Sequence, residues 1–135
     1  MMKFSTRTTY GLRAMIYLAR RYESTESISL AQIAKDENLS LAYLERLFAL
    51  LKKAGIVLAE KGKSGGYLLS KDPKQIDIFS IVKALEGNIV PFHCIGNDGK
   101  VKCAAKSKCG ASSVLAGVYV AISKTLMDMK LSDLV

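Results

Sequence analysis

Residues 29–57 read Ser-Leu-Ala-Gln-Ile-Ala-Lys-Asp-Glu-Asn-Leu-Ser-Leu-Ala-Tyr-Leu-Glu-Arg-Leu-Phe-Ala-Leu-Leu-Lys-Lys-Ala-Gly-Ile-Val, and residues 61–67 follow as Lys-Gly-Lys-Ser-Gly-Gly-Tyr. Two helical patterns with serine caps stand almost back to back. Ser29 has Gln32 at the third position, the spacing of a capping box, and Leu30, Ile33 and Ala34 supply a buried side. Asn38 suits the left-handed position that ends a helix. Ser40 opens the second pattern, in which Leu41, Leu44, Leu47, Phe48 and Leu51 recur at helical spacing. Lys52 and Lys53 complement its negative end, and Gly55 is the stop. Ile56-Val57-Leu58 and Tyr67-Leu68-Leu69 have strand composition, with a cationic glycine turn between them. This order is a helix-turn-helix with a β-hairpin wing.

A helix placed this way offers its N-terminal residues to the major groove. Leu41, Leu44 and Leu47 turn inward, leaving Ala42, Tyr43, Glu45 and Arg46 outward. Glu45 can accept from a cytosine amino group, and Arg46 can donate to guanine or phosphate. Ser40 and Tyr43 suit backbone phosphates. In the wing, Lys61, Lys63, Ser64, Gly65 and Gly66 would lie along or in the minor groove, the glycines allowing close approach. An ordinary solvated helix face would also carry Glu45 and Arg46; the cationic wing at this distance separates the two readings. Gly62-Lys63-Ser64 alone suggests a phosphate loop, but Val57 stands where that motif needs glycine, so nucleotide binding is rejected.

Outward from this stretch, residues 6–21 read as a helix apolar nearly all round. Tyr10, Ala14, Tyr17 and Leu18 line one face, and Leu12, Met15, Ile16 and Ala19 cover another, so the helix should pack on its own domain and on a partner subunit. Pro73 closes the wing. A fourth helix is expected from Asp77 to about Glu86, with Ile78, Ile81, Val82 and Leu85 inside and Gly87 as stop. Residues 88–111 have no periodicity and read as a loop. From Ser112 or Ser113 to about Lys130 a long helix carries the stripe Leu115, Val118, Tyr119, Ile122, Leu126 and Met129, suited to a partner helix.

The 135 residues carry a net charge of +8 and are 50% hydrophobic with two prolines, a composition for one folded domain with a small appendage. Residues 1–75 hold 13 Lys/Arg against 7 Asp/Glu, while residues 76–135 hold 7 against 5. The cationic excess therefore lies in the half with the helix-turn-helix, as a phosphate-binding surface requires. No apolar run approaches the length needed to span a bilayer, and the N-terminus lacks the pattern of a signal peptide. The expectation is a soluble cytoplasmic protein with no membrane partner.

The three cysteines, Cys94, Cys103 and Cys109, all fall in the predicted loop, with Lys100, Lys102, Lys106 and Lys108 interleaved. An odd number argues against a closed disulfide framework, and no pair has the two-residue gap of a zinc finger. Nearby ammonium groups favour thiolate and would partly offset an anionic metal–sulfur centre. The bland alternatives are free thiols or reversible disulfide chemistry. His93, the one histidine, adjoins Cys94 and reads as a neighbour of the site rather than a ligand. A single histidine beside a cysteine does not make the oriented base–nucleophile pair of an enzyme.

Lys3-Phe4-Ser5-Thr6 with Tyr10-Gly11-Leu12, then residues 39–47, then Gly62-Lys63-Ser64-Gly65-Gly66-Tyr67-Leu68-Leu69, resemble the IscR-type (Rrf-two) family of bacterial winged-helix regulators. The closing Leu131-Ser132-Asp133-Leu134-Val135 resembles that family's tail. The resemblance implies a homodimer with crossed C-terminal helices on a pseudo-palindromic operator in double-stranded DNA. It further implies base reading at Glu45, a wing in the minor groove, and an iron–sulfur cluster, 2Fe-2S or 4Fe-4S, ligated by Cys94, Cys103 and Cys109. This chain departs from relatives at Ala42, often serine, and at the fourth ligand, where Ser112 replaces a histidine and Thr8 and Thr9 replace a carboxylate of the partner's first helix.

The sequence thus predicts a mainly α protein with a small β-hairpin. Residues 1–75 would form the winged helix-turn-helix domain, and residues 76–135 the dimerisation helices with the cysteine loop at 88–111. The function implied is a repressor modulated by an iron–sulfur cluster. The alternatives are a cluster-free regulator answering to thiol redox, a metabolic ligand or a partner enzyme, and an iron–sulfur electron-transfer or assembly protein.

Overall fold

The computed structural model describes residues 4–24, 26–62, 65–87 and 110–135. Helix α1 spans Thr6–Arg20, α2 Leu30–Glu37 and α3 Leu41–Lys53; strands β1, Val57–Glu60, and β2, Gly66–Leu69, form the wing; α4, Ile78–Glu86, and α5, Gly110–Asp128, follow. Short 3-10 turns at Tyr22–Ser24, Pro73–Gln75 and Leu131–Leu134 complete the order.

The serine caps are where the pattern placed them. Ser29 Oγ accepts from the Gln32 amide at 3.1 Å and Ser40 Oγ from the Tyr43 amide at 3.3 Å. The reciprocal half of the capping box is not made: Gln32 Nε2 donates to Asp36 Oδ1 at 2.9 Å, one turn further along. Asn38 takes φ 54°, ψ 52° and turns the chain sharply into α3. Leu44, Leu47, Phe48 and Leu51 are buried, but Leu41, assigned to the inner face, is 41% exposed. It occupies the first position of α3, where no preceding turn covers it.

Val57 pairs with Leu69 and Glu60 with Gly66 in an antiparallel ladder. A rung that the sequence did not announce joins it: the Ile28 amide donates to the Tyr67 carbonyl at 3.0 Å, and the Tyr67 amide donates to Ile28 at 2.8 Å. The wing root is therefore tied to the segment that leads into α2.

One hydrophobic core runs through α1, α2, α3, α4 and the wing root, from Met15 and Leu18 to Ile33, Phe48, Val57, Ile81 and Leu85. On the second α1 face the chain itself buries Met15 and Ala19, while Leu12 and Ile16 pack partly against the same core. Arg21 is the C-cap, ending α1 one residue earlier than predicted. Asp77 caps α4, and all four of its predicted inner residues are buried. The C-terminal turn returns to this point: Leu131 is fully buried and its amide donates to Ile76 at 2.8 Å, while the Ile78 amide donates to Met129 at 2.9 Å.

Helix α5 begins at Gly110, so Gly110 and Ala111, assigned to the loop, are helical. The remainder of the predicted loop, with Cys94, Cys103, Cys109 and His93, lies outside the described residues. Leu115, Val118, Tyr119, Ile122 and Leu126 are only half-buried in the single chain, and Val114 and Val120 are 66% and 60% exposed. By length and composition α5 could cross a membrane, with 19 residues and a mean hydropathy of 1.3. The helix carries no unbroken apolar run of that length, since Gly117, Ser123 and Lys124 interrupt it, and an apolar helix of a packed interface meets the same measure.

A candidate nucleic-acid interface

Ser40 and Asn38 orient α3 so that Ala42, Glu45 and Arg46 emerge together on its solvent side, all three exposed. Glu45 and Arg46 have no side-chain partner among the described residues, so both are free to meet a groove. Ser40 uses an oxygen lone pair for its cap and keeps its hydroxyl proton for an acceptor.

Tyr43 is more covered than helical spacing alone implies. It is half-buried, with its ring edge-on to Tyr10, centroids 5.7 Å apart at 88°. Its hydroxyl shares a 3.1 Å hydrogen bond with Thr6 Oγ1 at the start of α1. Helical spacing shows which residues leave the inner stripe, whereas a neighbouring helix decides how far each of those is covered.

In the wing, Lys61 is exposed, and the turn tightens through a 3.0 Å bond from the Gly65 amide to the Gly62 carbonyl, with Gly62 at φ 138°. Lys63 and Ser64 lie outside the described residues. Gly66 serves the fold: a Cβ there would lie 2.4 Å from both the carbonyl carbon and oxygen of Ile28. Its missing side chain admits the Ile28 backbone, a role distinct from the predicted approach to DNA.

Two polar groups hold the helix-turn-helix as a unit. Tyr17 on α1 donates to Asp36 on α2, and the Arg21 guanidinium lies 3.5 Å from the Tyr17 ring centroid. Burial, reinforced by the bond to Asp36, pushes the Tyr17 hydroxyl above its ordinary value; the same bond, with that from Gln32, holds the Asp36 carboxyl below its own. Arg13 reaches from α1 to the carbonyl and carboxylate of Glu37, fixing the end of α2 just before the turn.

Glu86, which spacing did not single out, ends α4 with its side chain 10% exposed. Its Oε1 accepts from the Ser5 amide at 3.0 Å, Ser5 Oγ at 2.6 Å and Thr8 Oγ1 at 2.6 Å, and Arg7 stands 3.5 Å from Oε2. Burial alone would raise this carboxyl, but the bonds from Ser5 and Thr8, with Arg7 nearby, outweigh it and hold it below the usual range. Among the described residues no group of three His, Cys, Asp or Glu could hold a metal ion.

Comparison with known proteins agrees with this arrangement. Residues 4–135 match the family model Rrf2, described as an iron-dependent transcriptional regulator. The chain is 31% identical to the HTH-type transcriptional regulator IscR of Cronobacter sakazakii, covering 99% of this chain and 80% of that one. Among solved structures it is similar to CymR (YrzC), described as the global cysteine regulator of B. subtilis, with TM-score 0.77 and 34% identity over 99% of this chain and 96% of that one. It is also similar to T. potens IscR, with TM-score 0.72 and 34% identity over 97% and 84% of the two chains. With a matching fold and a family model covering nearly every residue, this chain belongs to the Rrf2 family of DNA-binding transcriptional regulators.

Proposed function

We propose that this regulator acts in the cytoplasm as a homodimer, repressing transcription from a pseudo-palindromic operator, and that an iron–sulfur cluster held by Cys94, Cys103 and Cys109 adjusts its affinity. The observation that carries the cluster is the donor set: three thiols among four lysines, in the segment joining α4 to α5. Thiolates with neighbouring ammonium groups fit an anionic cluster, its fourth position open or taken by water, a small thiol or a residue of the other subunit. Such a cluster supplies a centre whose presence or redox state changes charge and ligation within that segment.

In this reading Glu45 and Arg46 read base edges, Ser40 binds phosphate, and Lys61, Lys63, Ser64, Gly65 and Gly66 follow the minor groove. Ala42 contributes apolar contact. Residues 1–75 supply these contacts, and residues 76–135 the dimer. The half-buried stripe of α5 supports dimerisation, since a second α5 would cover apolar surface that one chain leaves in water. Cluster state and operator affinity are then linked, each changing the other by the same factor.

Anaerobic purification with iron and sulfide quantification tests this, followed by operator selection on the loaded and apo forms. Visible absorption lost in Cys103→Ala, with a changed operator affinity, is expected; equal affinity of apo, reduced and oxidised protein would sink the sensing claim. The similarity to CymR favours one second reading, reversible thiol chemistry at the same cysteines. It predicts colourless protein whose operator binding changes on treatment with a disulfide oxidant.

A further inference from the structure

The Glu86 carboxylate joins two parts of the molecule that sequence places far apart. It lies next to Gly87, which closes α4 at φ 77° immediately before the residues containing the cysteines. Its Oε1 gathers three hydrogen bonds from the first turn of α1, spanning 78 to 81 positions of sequence. Ser5 has a double role there: its Oγ donates to Glu86 and accepts from the Arg7 amide as the α1 cap. A mostly buried carboxylate cannot drop these donors cheaply, so Glu86 and the start of α1 move together. Below this junction α1 and α4 are in close contact, since a Cβ on Gly11 would fall 2.3 Å from Leu85 Cδ1.

The same turn of α1 touches the reading helix. Thr6 meets the Tyr43 hydroxyl and Tyr10 meets its ring. Tyr43 receives the Ser40 cap on its amide and lies two positions before Glu45, so its placement sets the first turn of α3.

We infer that Glu86 is a positioning residue for the reading helix, acting through Ser5, Thr8 and Thr6. The inference rests on the proposed reading role of α3 and is independent of the proposed cysteine sensor. Movement at Glu86 shifts the α1 cap, the shift passes through Thr6 to Tyr43, and Glu45 and Arg46 change their presentation to the groove.

A double-mutant cycle in this chain tests the inference, with affinity for a selected operator duplex measured well below the melting temperature. Glu86→Ala and Thr6→Val should each weaken binding about fivefold or more, and the pair should weaken it no further than the worse single change, because both cut one path. Strict additivity, or wild-type affinity in Glu86→Ala, overturns the positioning role. Thr8→Val keeps the side-chain shape, removes one of the Glu86 donors and replaces Glu86→Ala if that variant does not fold.

Discussion

Replacing Gly66 with alanine should detach the wing root from the segment before α2. The new Cβ would stand 2.4 Å from the carbonyl carbon and oxygen of Ile28 and 2.8 Å from the Ser29 nitrogen. Non-bonded carbons settle at about 3.5–4.0 Å, so the two backbones must part by roughly 1 Å. That displacement acts on the neighbouring pair of hydrogen bonds between Ile28 and Tyr67, 3.0 and 2.8 Å long. Losing both costs about 1–3 kcal/mol, and the smaller chain entropy of unfolded alanine returns roughly 0.4–1 kcal/mol. A net destabilisation of about 1–2 kcal/mol follows, or a Tm lower by roughly 3–10 °C for a chain of this size. Urea unfolding at fixed protein concentration measures the loss, and amide exchange at Ile28 and Tyr67 shows where it arises. Gly55→Ala provides the contrast: φ is 76° with nothing within 4 Å of a new Cβ, so it should cost stability without exposing either amide. Wild-type stability with protected Ile28 and Tyr67 amides in Gly66→Ala would refute the reasoning.

Arg46→Ala should cost about 1–3 kcal/mol of operator binding and relax preference at one base position, read by comparing single-base variants of the operator. Lys61→Ala should weaken binding to all sequences alike and reduce the salt slope by about one, because it removes a phosphate contact; an unchanged slope would place Lys61 off the DNA. Leu131→Ala empties a fully buried position against the start of α4 and should lower unfolding stability by about 2–5 kcal/mol. For Glu86, the folded carboxyl titrates below its unfolded value, so the unfolded chain takes up the proton first as pH falls. Its contribution is complete above roughly pH 5 and is lost as pH drops through the depressed folded value; unfolding midpoints measured down to about pH 3 should fall less steeply in Glu86→Gln than in wild type.

Local chemistry was legible in the order of residues. Ser29 and Ser40 cap helices, Asn38 takes the left-handed turn and Asp77 opens α4 because each preference is written within three or four residues of itself. Helical spacing likewise marked Leu44, Leu47, Leu51, Ile81 and Leu85 as core, and Glu45 and Arg46 as outward. These pieces were enough to order a winged helix-turn-helix and to put Glu45 and Arg46 on the exposed face of α3. Tertiary structure alone decided what depends on meetings across long sequence separations. Tyr43 turned from solvent toward Tyr10 and Thr6, Gly66 made room for the Ile28 backbone, and Glu86 bound the first turn of α1 from about 80 positions away. A periodic pattern reports how a side chain leaves its own helix, but which neighbour fills the space beyond it is set by the packing of the whole core.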